Sequence, residues 1–249
     1  MTAAQKLISV ADGEVGYLEK KSNAQLDSKT ANAGSANYTK YARDLFSTLQ
    51  GQAWCDMFVD WCFVQAFGKE TARALLCGGF SAYTPTSAAF YKGKGQYHKN
   101  SPQPGDQIFF RNNQRIYHTG IVTAVKDGRV YTIEGNTSAG AAVIENGGAV
   151  CRKSYSLWHP LIDGYGRPDW ALVNAQEEKP MDYKQLGWNH DSNGWWYAYG
   201  HAKGEYHVNN AVRIDGSLYF FDTNGYCVKN PTVTTDAKGA LIRISGMRV

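Results

Sequence analysis

Between Pro168 and Gln185 the chain changes character, and that break decides what it can fold into. The stretch PDWALVNAQEEKPMDYKQ is polar, charged and interrupted by Pro180, the composition of a linker. Beyond it lie Tyr183, Trp188, Trp195, Trp196, Tyr197, Tyr199, Tyr206, Tyr219, Phe220, Phe221 and Tyr226, with glycine recurring between them. Two stretches align, GWNHDSNGWWYAYGHAKG and AVRIDGSLYFFDTNGYCVKN. Each has a glycine-led turn, an aromatic cluster and a second glycine turn; TTDAKGALIRISG reads as a third, decayed unit. Units of roughly 20 residues cannot bury their own aromatics and must stack on one another. The expectation is a domain over 1–170, a linker over 171–182 and a small all-β module of hairpin repeats over 183–249.

The first part reads differently. Helical patterns over about 2–12, 38–49 and 55–67 precede strand-like runs, DQIFFR, HTGIVTAV and RVYTIEGN, and residues 141–158 suggest one more short hairpin around Gly147-Gly148. Helices followed by an antiparallel sheet make an α+β domain. With 43% hydrophobic and 19% charged residues, the 249-residue chain can bury a core and is not a disordered protein. The net charge of +4 falls entirely before the linker but is scattered, so no nucleic-acid stripe forms and no nucleic-acid partner is expected. No apolar run is long enough to span a bilayer, so no membrane insertion is expected. The start, MTAAQKLISVADGEVGYLEKK, reads as an amphipathic helix with Leu7, Ile8 and Val10 inward rather than as a secretion signal. Cysteines at 55, 62, 77, 151 and 227 show no zinc spacing and no disulfide framework, and read as reduced thiols.

One of these cysteines is placed for chemistry. In GQAWCDMFVDWC, Cys55 opens a helix that Gly68 stops, whereas Cys62 lies two turns deeper on the packed face. At a helix start the free N–H groups and the dipole favour an anion, and only a thiolate is a strong nucleophile. The base is sought in RIYHTGIVTAVKDGRVYTIEGNTS, a hairpin about Lys126-Asp127-Gly128. A two-residue loop pairs Lys126 with Arg129 and turns His118 away from Glu134 and Asn136. A three-residue loop with Gly128 in a G1 bulge pairs Val125 with Arg129, and His118 then lies opposite Asn136 with Glu134 on the same face. The second is expected: it gathers the polar groups a base needs on one face and leaves Ile121, Val125, Tyr131 and Ile133 to pack on the other. Cys55, His118 and an orienting Glu134 or Asn136 form a nucleophile–base–orienter set.

The segments WCDMFV, PGDQIFF, HTGIV and YTIEGNT stand in the order and spacing of the CHAP domain, and residues 5–168 resemble that family of cysteine, histidine-dependent amidohydrolases and peptidases. The resemblance implies a papain-like fold, peptidoglycan as substrate, Cys55 as nucleophile, His118 as base and Glu134 and Asn136 as polar orienters, with no cofactor. Many members carry Gln directly before the nucleophile. Here Trp54 does, so the Cys55 backbone N–H is the expected oxyanion donor, with Gln52 as a further candidate. Some members bind calcium in an acidic loop before the nucleophile; Asp44 is the sole carboxylate of NYTKYARDLFSTLQGQ, and no metal site is expected. Asp106 reads as a turn-fixing residue, and Tyr38, Tyr41 and Tyr83 as possible groove aromatics.

The tail resembles choline-binding and glucan-binding wall repeats, which implies a wall-attached glycopolymer as partner and Trp188, Trp195, Trp196, Tyr197, Tyr219 and Phe220 as binding aromatics. Together these readings describe an endolysin, made without a signal peptide in the cytoplasm of an infected bacterium and acting at the cell wall as an amidase or endopeptidase. A non-catalytic wall-binding protein, a secreted autolysin of the same chemistry and a cytoplasmic cysteine protease are the alternatives.

Overall fold

The computed structural model describes residues 2–140, 142–173, 185–191, 193–200, 205–229, 231, 233–235 and 241–244. The chain divides into two units, Met1–Asn174 and Ala175–Val249. Val173 is buried in the core of the first; residues 174–182 of the expected linker lie outside the described residues.

In the first unit five helices come before a sheet. They are α1 (Ala3–Glu14), α2 (Lys40–Leu45), α3 (Cys55–Phe67), α4 (Lys69–Leu75) and α5 (Thr84–Gly93). The strands are β1 (Tyr97–His98), β2 (Gln107–Arg111), β3 (Ile116–Lys126), β4 (Arg129–Thr137), β5 (Ala149–Ser156) and β6 (Ile162–Gly166). They form one sheet in the order β1-β6-β2-β3-β4-β5, every pairing antiparallel. This is the α+β arrangement that the pattern of the sequence implies.

α1 begins at a capping box. The Thr2 hydroxyl accepts from Gln5 N, and the Gln5 amide accepts from Thr2 N. The expected helix over 38–49 is instead two pieces, because Phe46 leaves helical dihedrals and a 3₁₀ turn follows at Ser47–Leu49. α3 carries no amphipathic stripe. Every residue from Cys55 to Phe63 is buried, so the helix is wrapped on all sides and its start is fixed in space. The sheet separates two clusters. Phe109, Ile121 and Ile133 pack with α1 and α3 on one face, while Ile108, Phe110, Val122, Val130, Tyr155 and Tyr165 pack on the other. The alternation along β2 and β3 is the period-two pattern of a sheet covered on both sides.

The β3–β4 hairpin corrects the expected loop. Lys126 pairs with Arg129, so the turn is the two-residue one, with Asp127 and Gly128 both left-handed at φ 53° and 70°. A bulge between Val122 and Ala124 then shifts the register, and beyond it Val122 pairs with Thr132 and Ile121 with Ile133. That is the pairing the longer loop would have given, reached by a different route. The bulge also swaps faces: Val125 packs against the second cluster rather than with Ile121 and Ile133. The separate hairpin expected around Gly147-Gly148 is absent. β5 is a single strand that pairs directly with β4, and the glycines lead into it.

The described residues of the second unit form three two-stranded antiparallel sheets: β7 (Gly187–Asp191) with β8 (Gly194–Ala198), β9 (Asn210–Ile214) with β10 (Ser217–Phe221), and β11 (Val233–Thr235) with β12 (Leu241–Ile244). No helix among the described residues is long and apolar enough to cross a membrane.

Candidate active site

Cys55 is the first residue of α3 and 4% exposed, in the turn whose N–H groups have no partner within the helix. Trp54 precedes it as the helix cap. Its ring is stacked on Tyr41 at 5.4 Å, and its Nε1–H donates to Glu19 Oε2 at 3.0 Å. Tyr41 is fully buried and donates to Glu14, so it is core and lines no groove. Tyr83 is 53% exposed. Where α3 meets β4 only glycine fits: a Cβ on Gly135 would lie 2.6 Å from Phe58 Cβ and 2.8 Å from the Trp54 ring. The helix start is thereby pressed against the strand that carries Glu134 and Asn136.

His118, Glu134 and Asn136 are all fully buried. His118 Nε2 lies 2.9 Å from Glu134 Oε2. An ionised carboxylate only accepts, so the ring donates from Nε2. The other nitrogen, Nδ1, is buried and makes no hydrogen bond of ordinary geometry. Burial alone would lower the ring's pKa. The hydrogen bond to Glu134 and the nearness and charge of Cys55 and Glu134 override it and push His118 up to about 9. Cys55 is therefore a neighbour of the ring without a formed hydrogen bond to it, as nucleophile–base pairs often are before substrate tightens them.

Two further residues hold Glu134, and neither is expected from the sequence. The Thr132 hydroxyl donates to Oε1 at 2.5 Å and the Tyr155 hydroxyl to Oε2 at 3.1 Å. Burial and the adjacent carboxylate push the Tyr155 pKa up, so it stays a donor. Thr132 was findable, since it lies two residues before Glu134 and so shares its strand face. Tyr155 is on a strand that the sequence pattern leaves unresolved. Gly120 sits so close to the Glu134 side chain that a Cβ there would overlap it.

Asn136 makes no hydrogen bond to His118. Its backbone is left-handed at φ 54°, its amide donates to Glu145 O at 3.4 Å, and its Oδ1 is buried without a partner. Of the two expected orienters, Glu134 contacts the ring. Gln52 lies exposed in the turn before α3. Asp44 accepts from Trp61 Nε1 at 2.8 Å and pairs with Arg43. Asp106 closes its turn by accepting from Gln103 N and is paired with Arg167.

In the second unit Trp188 is the hub, with ring centroids 4.7 Å from Tyr219, 5.3 Å from Tyr197, 6.0 Å from Phe221 and 6.4 Å from Trp195. His207, to which the sequence assigns no role, stacks on Tyr197 at 5.7 Å. Trp195 is 46% exposed. Trp196 is 2% exposed and packs with Ala198, Tyr206 and Tyr226 as hairpin core. Phe220 is half-buried, and its neighbour Phe221 takes the place in the cluster.

Residues 47–136 match the CHAP domain family, a span that includes Cys55, His118, Glu134 and Asn136. The match carries peptidoglycan amidase or endopeptidase-type hydrolase activity in general. No curated protein matches the chain. One solved structure, "The crystal structure of Ly7917", is similar at 13% identity and a TM-score of 0.42, over 97% of this chain and 91% of that one.

Proposed function

We propose that the first unit hydrolyses an amide bond of bacterial peptidoglycan, with Cys55 as nucleophile, His118 as base and Glu134 as the group that orients it. The observation that carries this reading is the division of the His118 ring: Nε2 is committed to Glu134, Nδ1 is buried without a hydrogen-bond partner, and Cys55 is near enough to the ring to help raise its pKa. Nδ1 takes the thiol proton, and the sulfur attacks the amide carbonyl carbon. The Cys55 N–H at the helix start donates to the developing oxyanion, one such donor being worth about 3–4 kcal/mol. The protonated ring then gives its proton to the leaving amine, and the C–N bond breaks. Water, deprotonated by the same nitrogen, splits the thioester and restores the thiol.

The second unit is proposed as a wall anchor. Its support is the ring cluster about Trp188, with Trp195 and Tyr199 exposed beside it, a surface suited to sugar faces or a quaternary ammonium. A catalytic unit followed by an anchor is the organisation of an endolysin.

Digestion of purified cell walls, followed by mass spectrometry of the soluble fragments, tests the reading. New amino termini on stem or bridge peptides are expected. A new N-terminal alanine identifies amidase action, and any other new terminus identifies endopeptidase action. Fragments with new sugar reducing ends alone, or no release at all, would overturn the proposal.

A further inference from the structure

The residue after the nucleophile is buried, acidic and absent from the mechanism above. Asp56 lies in the first turn of α3, where an exposed carboxylate would be favoured by the dipole; here it is turned inward and 1% exposed. Two elements meet it. The Ser87 hydroxyl of α5 donates to its Oδ2 at 2.6 Å, and Gln107 Nε2 of β2 donates to its Oδ1 at 3.0 Å. The same Gln107 amide reaches Thr119 Oγ1 at 3.1 Å, and that hydroxyl donates to Ile108 O at 2.7 Å. Gln107 and Thr119 are fully buried, and Asp60 lies one turn further along α3, also buried. Asp56 is bonded to Cys55 in the chain, and Thr119 to His118. A short path of hydrogen bonds therefore runs from the residue beside the thiol to the residue beside the ring.

We propose that Asp56 is a positioning residue: through Gln107 and Thr119 it ties the start of α3 to β3 and fixes the separation of Cys55 from His118. The inference rests on the Cys55–His118 reading given above. Burying a carboxylate is costly, and apolar packing alone would hold α3 more cheaply. What a hydrogen-bonded tether adds is direction and distance, and misplacing reacting groups by an ångström costs about 10²-fold in rate.

The test uses the full chain with Asp56→Ala, Asp56→Asn, Thr119→Val and Cys55→Ala. Peptide release is measured against wall concentration and pH. Alkylation of Cys55 by iodoacetamide at one pH is read from its peptide mass. Asp56→Ala is expected to lower kcat roughly 30- to 100-fold with KM little changed, to slow alkylation of Cys55, and to move the alkaline limb of the pH profile. Asp56→Asn, which keeps the shape, still accepts from Gln107 and can donate to the Ser87 hydroxyl in place of accepting from it, should recover most of the rate. An Asp56→Ala protein that melts lower but keeps kcat and the pH limb per folded molecule would overturn the tether, because Asp56 would then only stabilise. Should Asp56→Ala not fold, Thr119→Val decides: a several-fold loss of kcat supports the tether, and an unchanged kcat and pH limb overturn it. Cys55→Ala separates the two levels. If it is inert while Asp56→Ala is fully active, only the tether fails; if it still releases peptide, the nucleophile reading fails and takes the tether with it.

Discussion

Glu134 gives the buried His118 ring its direction. It accepts from Nε2, and Thr132 and Tyr155 hold it there, so the carboxylate cannot rotate away. Two predictions belong to this residue. Glu134→Gln should lower kcat/KM by about 10²–10⁴-fold. It should also shift the alkaline limb, expected near pH 9 in the wild type, to lower pH. Burial drives the ring toward its neutral form and the Glu134 charge opposes it, so removing that charge lets the proton leave sooner. A pH–rate profile on wall fragments reads both effects; an unmoved limb would mean that Glu134 does not act on the ring. Gly120→Ala puts a methyl into the Glu134 side chain and 3.0 Å from Ile133 O. The expected outcome is about 10²-fold lower activity and about 1–3 kcal/mol of lost stability, measured by lysis rate and thermal melting. Cys55, His118 and Glu134 are legible in the sequence as chemical types at suggestive places. The further hold on Glu134 by Tyr155, and the failure of Asn136 to reach the ring, depend on β5 and on one left-handed backbone residue, which no spacing encodes.

At the scale of elements, the decisive piece is the β3–β4 hairpin. Only together do its tight turn and its bulge turn His118 and Glu134 to the same face. Asp-Gly specifies the turn, because both central residues need positive φ. The bulge leaves no mark in composition, so the sequence pattern points to the right register through the wrong loop. Gly128→Ala should cost about 1 kcal/mol, lowering Tm by about 2–4 °C with the specific activity of the folded protein unchanged. A loss of activity exceeding the loss of fold would show that the turn itself sets the register at the site. α3 is readable end to end, because an apolar run closed by Gly68 has few alternatives. α5 is not: TPTSAAF looks like a loop, yet Pro85 suits a first helical turn, and Ser87, Ala88 and Tyr91 are buried by what surrounds them.

For the whole molecule, the proposed function puts cutting in the unit Met1–Asn174 and holding in the unit Ala175–Val249. Trp188→Ala removes the hub of the second cluster. It should lower retention on purified walls in a pull-down while leaving hydrolysis of soluble wall peptides within about twofold of wild type, because Trp188 is no part of the first unit's core. Equal retention would assign those rings to packing alone. The two-part organisation is legible in composition alone, because the polar, proline-interrupted stretch Pro168–Gln185 separates two textures of sequence. The ligand of the tail is less legible, because an aromatic that stacks on a neighbour and one that stacks on a sugar look alike in a sequence.

Release of new amino termini from purified walls by Cys55→Ala, measured beside the wild-type protein and with wall pull-down as control, tests the central claim most directly. Release is predicted to fall at least about 10³-fold while pull-down is unchanged. Release within tenfold of wild type would contradict the claim, because the bond would then be cut without the sulfur at the start of α3.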